Sequence, residues 1–334
     1  MNITIKDIAK TAGVSPSTVS RVLTGNIHVS EETLKKVKSA IEKLGYRPNA
    51  LARSLVSKRS RTIGLIIPEI GNPFYAEIIS GVEKAATRQG YGVLLISYSP
   101  DNIKKDGIQT LLERRVDGII HAGPFQNDKL VPRLKKEGFP FVLVGRKIDN
   151  LETNCVIAND RHAAYQATMH LLNLNHKIIG FIFGNNESYS SIEKLEGYKI
   201  ALAERQIPFR EELVEPGYLE FYGGYEAALS LLKKNPKPSA ILAGNDVMAL
   251  GAREAILEKG LSIPRDIALM GFDDIPWVSL KGLELTTMSV PRYKMGYLAC
   301  DLLIKKINKP DDHEVEQIVL EPEIKIRKTC GYFK

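Results

Sequence analysis

Short hydroxyl side chains and one arginine lie close together near the N-terminus. The hydroxyl residues are Ser15, Ser17, Thr18 and Ser20, and the arginine is Arg21. Hydroxyl groups on short side chains bond to phosphate oxygens and base edges, and an arginine can bond to guanine through two nitrogen atoms. These residue types therefore indicate contact with nucleic acid.

The common signatures of catalysis are not found in the sequence. No GxGxxG follows a strand pattern, and the GxxxxGK[ST], GxSxG and HExxH motifs do not occur. The six histidines form no metal-ligand spacing with cysteine. The pair Asp273–Asp274 could support acid–base catalysis, but adjacent carboxylates at a strand end serve equally well to hold ligand hydroxyls. We therefore expect a protein that is not an enzyme, with no cofactor and no metal.

Positive charge is concentrated at one end of the chain. Residues 1–60 hold 11 Lys and Arg against 4 Asp and Glu, a net charge of +7, which equals the formal net charge of all 334 residues. Residues 61–334 hold 35 of each sign. A basic module beside a neutral body indicates a polyanionic partner at one end and another partner elsewhere. Charge alone leaves a solvated basic surface as the alternative.

Composition predicts a cytoplasmic protein. No apolar run approaches the roughly 20 residues that a membrane helix needs, so we expect no membrane partner. The first residues lack the basic and apolar regions of a signal peptide. Three widely spaced cysteines without a CxxC pair are typical of reduced thiols rather than of disulfides or zinc sites.

The basic module must position its polar residues on helices. Apolar residues spaced at helical intervals, together with capping residues, predict three short helices in the first 45 residues. Thr4, Ser15 and Ser30 are the expected N-caps, and Gly13 and Gly45 the expected ends. Two helices joined by a tight glycine-containing turn form the helix-turn-helix pattern.

The neutral body alternates short apolar runs with longer amphipathic segments. The apolar runs predict strands at 62–67, 92–96, 118–120, 141–144, 178–183, 240–243 and 267–272. The amphipathic segments predict helices at 74–89, 160–173, 191–206, 221–234, 246–259 and 292–308. This alternation is typical of parallel sheets covered by helices on both faces. A change of register near residues 159–160 divides the series into two similar halves.

Several motifs of the N-terminal module resemble the DNA-binding signature of the LacI-type (lactose-repressor-like) regulators. The matching stretches are TIKDIA at 4–9, AGVS at 12–15, TVSRVL at 18–23 and GYRPNA at 45–50. The resemblance implies that Pro16, Ser17 and Arg21 lie at the positions that read bases in the major groove. Because Pro16 has no polar side chain, direct readout is expected from Ser17, Thr18 and Arg21. The DNA-binding residues assigned to this module are Thr4, Ser15, Pro16, Ser17, Thr18, Ser20 and Arg21.

A basic segment follows the three helices at 47–61. Residues 48–55 have the composition of a helix, but about eight residues are too few to hold a helix in water unaided. The residues alone therefore also permit a flexible tether. The resemblance implies a hinge helix that orders when two chains pair on DNA. Leu55 then matches the leucine that inserts between base steps in the minor groove. Asn49, Ala52 and Arg53 are expected to flank it.

The family resemblance extends over the body. Its landmarks are GNPFY at 71–75, NHKIIGF at 175–181, GNDVMALG at 244–251 and MGFDD at 270–274. The implied fold is an all-α headpiece (1–46), the hinge (47–61) and an α/β periplasmic-binding-protein-like body (62–334). The body has two Rossmann-like subdomains, made of 62–160 with 292–319 and of 161–291 with 320–334.

The same resemblance implies an effector site between the subdomains. Phe74 matches an aromatic wall, and Asp160, Asn245 and Asp273 match polar positions at strand ends that chelate hydroxyls. Arg146 is assigned there as a donor. Many sugar-responsive members carry arginine where this chain has Lys194, and lysine lacks the planar fork that grips two oxygens. Phosphosugars and other metabolites therefore stay open beside a sugar as the effector.

We therefore expect a cytoplasmic, homodimeric repressor of a carbohydrate-utilisation operon. It binds a pseudo-palindromic double-stranded DNA operator, and a small-molecule effector in the body switches its affinity. Two alternatives stay open from the residues. One is a solute-binding protein whose basic module serves another partner, and the other is an enzyme with a fused DNA-binding domain.

Overall fold

The computed structural model describes residues 3–24, 29–46, 59–97, 111, 113–123, 128–148 and 150–331. The chain forms two compact units. One unit joins Met1–Thr62 with Arg115–Asp117, and the other contains the rest of the chain. The domain boundaries given above stay predictions. Within the described ranges, no helix is long and apolar enough to cross a membrane.

The N-terminal headpiece consists of three helices around a small core. The helices are α1 (Ile5–Ala12), α2 (Pro16–Thr24) and α3 (Glu31–Leu44). Ile8, Val19 and Val37, one from each helix, are fully buried against one another. The helical spacing of apolar residues therefore places three faces in one core, as the sequence predicts.

The ends of the headpiece helices follow the predicted caps. The Ser30 hydroxyl accepts a hydrogen bond from the Thr33 N–H (3.3 Å) at the start of α3. Gly13 ends α1 with a φ of 68°, a left-handed conformation that glycine adopts without a steric penalty. The turn between α1 and α2 is consequently fixed by Gly13.

In the described part of the body, the strands form two six-stranded sheets, each with helices packed on it. The strands are β1 (Thr62–Ile67), β2 (Gly92–Ser97), β3 (Gly118–Ala122), β4 (Phe141–Val144), β5 (Cys155–Ala158), β6 (Ile179–Phe183), β7 (Val214–Pro216), β8 (Ala240–Ala243), β9 (Ala268–Asp273), β10 (Thr286–Ser289), β11 (Gln317–Leu320) and β12 (Glu323–Lys325). The helices are α4 (Pro73–Arg88), α5 (Leu130–Lys136), α6 (Asp160–Asn173), α7 (Tyr189–Glu204), α8 (Phe221–Leu232), α9 (Asp246–Glu258) and α10 (Arg292–Asn308).

The first lobe is built on the sheet with strand order β11-β5-β4-β3-β1-β2, and the second lobe on the sheet β12-β10-β9-β8-β6-β7. The registered pairs are parallel except β10–β12, which is antiparallel. The chain crosses between the lobes after β5, after β10 and between β11 and β12. The prediction of two α/β halves with parallel sheets is confirmed.

Glycines allow close contact between helices within each lobe. A Cβ on Gly296 of α10 would lie 2.1 Å from the Ile78 carbonyl oxygen of α4, and one on Gly197 of α7 would lie 2.1 Å from the Arg161 carbonyl oxygen of α6. Only a residue without a side chain permits such an approach. Each of these helix pairs therefore packs backbone against backbone.

Candidate DNA-binding surface and ligand cavity

The second helix of the headpiece presents the predicted DNA-reading residues on its outer face. Pro16, Ser17 and Arg21 are exposed, whereas Val19 on the opposite face is fully buried. Ser17 and Arg21 are four residues apart and so lie on one side of the helix. This face can present a hydroxyl and a guanidinium to base edges together.

Ser15 and its neighbouring hydroxyls form a small network at the start of α2. The Ser15 Oγ lies 2.7 Å from the Ser17 Oγ and 2.8 Å from the Thr18 Oγ1, and it accepts a hydrogen bond from the Thr18 N–H (3.1 Å). Thr18 and Ser20 are half-buried. Ser15 therefore caps the helix as predicted, and its network orients the hydroxyl of Ser17.

Thr4 is exposed at the start of α1, where it pairs with Asp7. Its N–H and its hydroxyl donate to the Asp7 carboxylate at 2.8 and 2.7 Å. Both hydrogen bonds lower the pKa of Asp7, and the one from the Thr4 hydroxyl has the larger effect. The remaining predicted DNA contacts, Asn49, Ala52, Arg53 and Leu55, lie outside the described residues.

All six residues assigned to the effector site line one cavity between the two lobes. They are Phe74, Arg146, Asp160, Lys194, Asn245 and Asp273. The cavity holds about 680 Å³ of space between atoms, including its open mouth, but only about 80 Å³ in which the centre of a water molecule fits. Such a space suits a single small molecule rather than a polymer.

Strand ends bring these residues together. Arg146 follows β4, Asp160 follows β5, and Asn245 follows β8, while Asp273 is the last residue of β9. The carboxyl ends of parallel strands meet at one edge of a sheet, and ligands bind in the crevice beyond that edge. In this body the two sheets direct those edges toward one cavity.

Lys194 is a buried cation of the second lobe. Its Nζ donates to the Gly244 carbonyl oxygen (2.9 Å), lies 3.7 Å from the Asp160 Oδ1, and stands 4.6 Å from the centre of the Phe272 ring. Burial raises the pKa of Asp160, and Lys194 opposes that rise. Asp160 begins α6 and Lys194 lies on α7. The contact between their charged groups therefore joins these two helices.

Asp273 is buried beside other charged groups, in a backbone conformation with a φ of 111°. Burial raises the pKa of its carboxyl to about 6, against the opposing effect of Lys194 and Arg292. Its neighbour Asp246 accepts hydrogen bonds from the Thr287 hydroxyl (2.7 Å) and the Ile275 N–H (2.9 Å). Asp246 thus supports the local structure, and Asp273 lines the cavity.

Arg146 supplies a cation from the first lobe to the cavity. Burial lowers the pKa of its guanidinium, while Tyr75, Asp128 and Glu187 oppose that change. Its Nη1 donates to the Glu187 carbonyl oxygen at 3.4 Å, just before α7. Arg146 therefore contacts the opposite lobe across the cavity.

The sequence analysis missed several residues of the cavity. Tyr75 lies edge-on to the Phe74 ring with 5.2 Å between ring centres. Ser188, Ser190 and Ser191 line the opposite side. Helix capping is the signal that finds part of this set, since the Ser188 hydroxyl accepts from the Ser191 N–H (3.3 Å) at the start of α7.

A helix-turn-helix headpiece joined to a two-lobed body with a small-molecule cavity defines a ligand-responsive, DNA-binding transcription regulator. Comparison with protein families agrees with this class. Residues 4–49 match the model described as bacterial regulatory proteins, lacI family. Residues 60–328 match the model described as periplasmic binding proteins and sugar binding domain of LacI family. The chain belongs to the LacI family.

Curated relatives and a solved structure match nearly the whole chain. The catabolite control protein A of Priestia megaterium is 39% identical over 92% of this chain and 94% of its own. The ribose operon repressor of Haemophilus influenzae is 34% identical over 99% of both chains. A lac repressor dimer bound to operator and the anti-inducer ONPF superposes with a TM-score of 0.87 at 28% identity over 99% of both chains. These relatives are transcription regulators. The comparison therefore favours a regulator over an enzyme or a simple solute-binding protein.

Proposed function

We propose that this regulator is a cytoplasmic repressor of a carbohydrate-utilisation operon. It acts as a homodimer on a pseudo-palindromic operator, and a sugar or phosphosugar in the cavity changes its operator affinity. The observation that carries the proposal is that six residues from distant parts of the sequence line a single cavity between the lobes. The ribose operon repressor and the operator-bound lac repressor dimer are similar over nearly the whole chain.

The headpiece supports sequence-specific DNA binding. Its exposed α2 face offers Ser17 and Arg21, and the positive charge of residues 1–60 attracts phosphates without regard to sequence. A single helix reads only a few base pairs, so two headpieces are needed for a long site. We assign base readout to Ser17, Thr18 and Arg21, and bending of the operator to Leu55.

The cavity supports a polyhydroxylated ligand. Carboxylates of Asp160 and Asp273 accept hydrogen bonds from hydroxyl groups, and the Asn245 amide can both donate and accept. Phe74 offers an apolar wall for a sugar face. Arg146 and Lys194 add two positive charges, which extend the ligand class to phosphosugars.

Selection of duplexes from a random library tests the DNA-binding part. Wild-type protein should enrich a pseudo-palindrome, and its affinity for that duplex should fall steeply as salt rises. An Arg21→Ala protein provides the comparison. If wild-type protein enriches no sequence at low or high salt, the proposed repressor function is wrong.

A thermal-shift panel of pentoses, hexoses and their phosphates tests the ligand part. A ligand of the cavity should raise the melting temperature of wild-type protein and change its affinity for the selected duplex. Lys194→Met should abolish both effects. Lys199→Met is the matched control, because Lys199 lies on the same helix but pairs at the surface with Glu196 (2.8 Å). Equal responses of both variants would remove Lys194 from the site.

A further inference from the structure

Asp117 contacts the last residues of the linker, the basic segment 47–61 that leads into the body. Its Oδ1 accepts hydrogen bonds from the Ser60 N–H (2.7 Å) and the Ser60 hydroxyl (2.9 Å), and its Oδ2 accepts one from the Arg61 N–H (3.0 Å). Hydrogen bonds to a carboxylate are stronger than those between neutral groups. One side chain therefore holds two successive residues of the linker.

The backbone of the linker is shaped to fit this carboxylate. Arg61 has a φ of 54°, a left-handed conformation that costs free energy in a residue other than glycine. Successive N–H groups around such a residue form a concave site for an anion. The Asp117 N–H also donates to the Thr62 carbonyl oxygen at 2.8 Å. Asp117 thus contacts the linker through its side chain and its backbone and stabilises the turn at Arg61.

The place of Asp117 in the chain gives these contacts a function. Asp117 directly precedes Gly118, the first residue of β3, and Thr62 begins β1. The two strands are parallel neighbours, with Ile63 opposite Gly118. The direction in which the chain enters β1 is therefore set at Asp117, within two residues of a paired strand. Residues N-terminal to Ser60 connect this point to the DNA-binding headpiece.

We infer that Asp117 is a positioning residue for operator binding. It holds the last residues of the linker at the start of β1, the point from which each chain of a dimer leads back to its headpiece. Free rotation of the linker at this point lowers the effective concentration of the second headpiece at its half-site. This inference rests on the proposed paired binding to a pseudo-palindrome.

Charge and positioning predict opposite results for Asp117→Asn. Removing a negative charge from a protein that binds a polyanion strengthens binding to every duplex by electrostatics alone. Loss of the anchor weakens binding only where two headpieces must bind together. Asp301→Asn is the matched control, because Asp301 on α10 is a carboxylate that also accepts a side-chain hydrogen bond, from Gln89 (2.6 Å).

Fluorescence anisotropy with three labelled duplexes measures the effect. The duplexes are the palindrome selected by wild-type protein, one half-site and a random sequence. We expect Asp117→Asn to lower the palindrome-to-random affinity ratio at least about fivefold, the lower end of typical coupling between sites. Half-site binding should stay as in wild type or become tighter. Asp301→Asn should leave the ratio unchanged.

An unchanged ratio in Asp117→Asn, or an equal loss on all three duplexes, would overturn the inference. Ser60→Ala removes a single hydroxyl from the anchor and should lower the same ratio by a smaller factor. If Asp117→Asn is unfolded at the assay temperature, Ser60→Ala provides the test instead. An unchanged palindrome-to-random affinity ratio in Ser60→Ala would then overturn the inference. Failure of the proposed function is seen separately, because the wild-type protein would then enrich no palindrome.

Discussion

Replacing Asp273 with asparagine should stabilise the folded protein at neutral pH. The Asp273 carboxyl is buried, and burial raises its pKa to about 6 from an ordinary value of 3.8. An acid whose pKa is higher in the folded chain binds its proton more tightly when folded. The ionised form is therefore unfavourable in the fold at pH 7, and folded stability increases as the pH falls from above 6 toward 3.8.

The size of the effect follows from the two pKa values. Each pKa unit corresponds to about 1.4 kcal/mol at 25 °C, so the interval from 3.8 to about 6 corresponds to roughly 3 kcal/mol. Asparagine has nearly the shape of aspartate, keeps an oxygen that accepts hydrogen bonds and carries no charge. Asp273→Asn should therefore raise the melting temperature at pH 7 by about 6–12 °C, at about 2–4 °C per kcal/mol.

Thermal unfolding at pH 7 and at pH 5, followed by circular dichroism, measures this gain. The gain from Asp273→Asn should be largest at pH 7 and shrink at pH 5. Asp128→Asn should show the opposite sign, since hydrogen bonds from His121 and from the Leu130 and Val131 N–H groups outweigh burial and lower the pKa of Asp128. A destabilised Asp273→Asn at pH 7, or a gain that does not depend on pH, would refute the reasoning.

Three further substitutions test the headpiece, the linker and the helix packing. Arg21→Ala should broaden the sequences enriched from random duplexes; an unchanged consensus would remove Arg21 from base readout. Leu55→Ala should keep the melting temperature but weaken binding to the selected operator much more than to random DNA, and equal losses would exclude insertion between base steps. Gly296→Ala should cost about 1–3 kcal/mol of unfolding free energy, because its Cβ would lie 2.1 Å from the Ile78 carbonyl oxygen. Gly71→Ala is the control. The atom nearest to its Cβ would be 3.6 Å away, so its melting temperature should match that of the wild type.

Most helices of the body could be predicted from sequence because their signals are local. Segments 160–173 and 292–308 begin and end as predicted, since apolar spacing and capping act within a few residues. The strand Thr286–Ser289 was missed because its polar composition does not indicate that the strand is buried. Thr287 donates to Asp246, and the Thr286 hydroxyl accepts from the Arg327 N–H (2.9 Å). Those partners are distant in sequence, so no local pattern indicates them.

The residues of the cavity were found through family resemblance, and their contacts could not be predicted from the chain. Nothing in the spacing of Asp160 and Lys194 shows that their charged groups approach to 3.7 Å. The third partner, Gly244, offers only a carbonyl oxygen, which every residue carries. Such contacts depend on the relative placement of strands and helices, which a single sequence does not specify. The roles of the six residues in ligand binding stay predictions.

The positions of β11 and β12 determine the order in which the protein can fold during synthesis. These strands are the last two in the described sequence, and they form an edge of the first and of the second sheet respectively. The three headpiece helices, in contrast, end by Leu44 and share a core of their own. At about 5–20 residues per second, the ribosome needs on the order of tens of seconds to pass from the end of the headpiece helices to β11 and β12. A nascent chain can therefore carry a folded headpiece while both ligand-binding lobes still lack an edge strand.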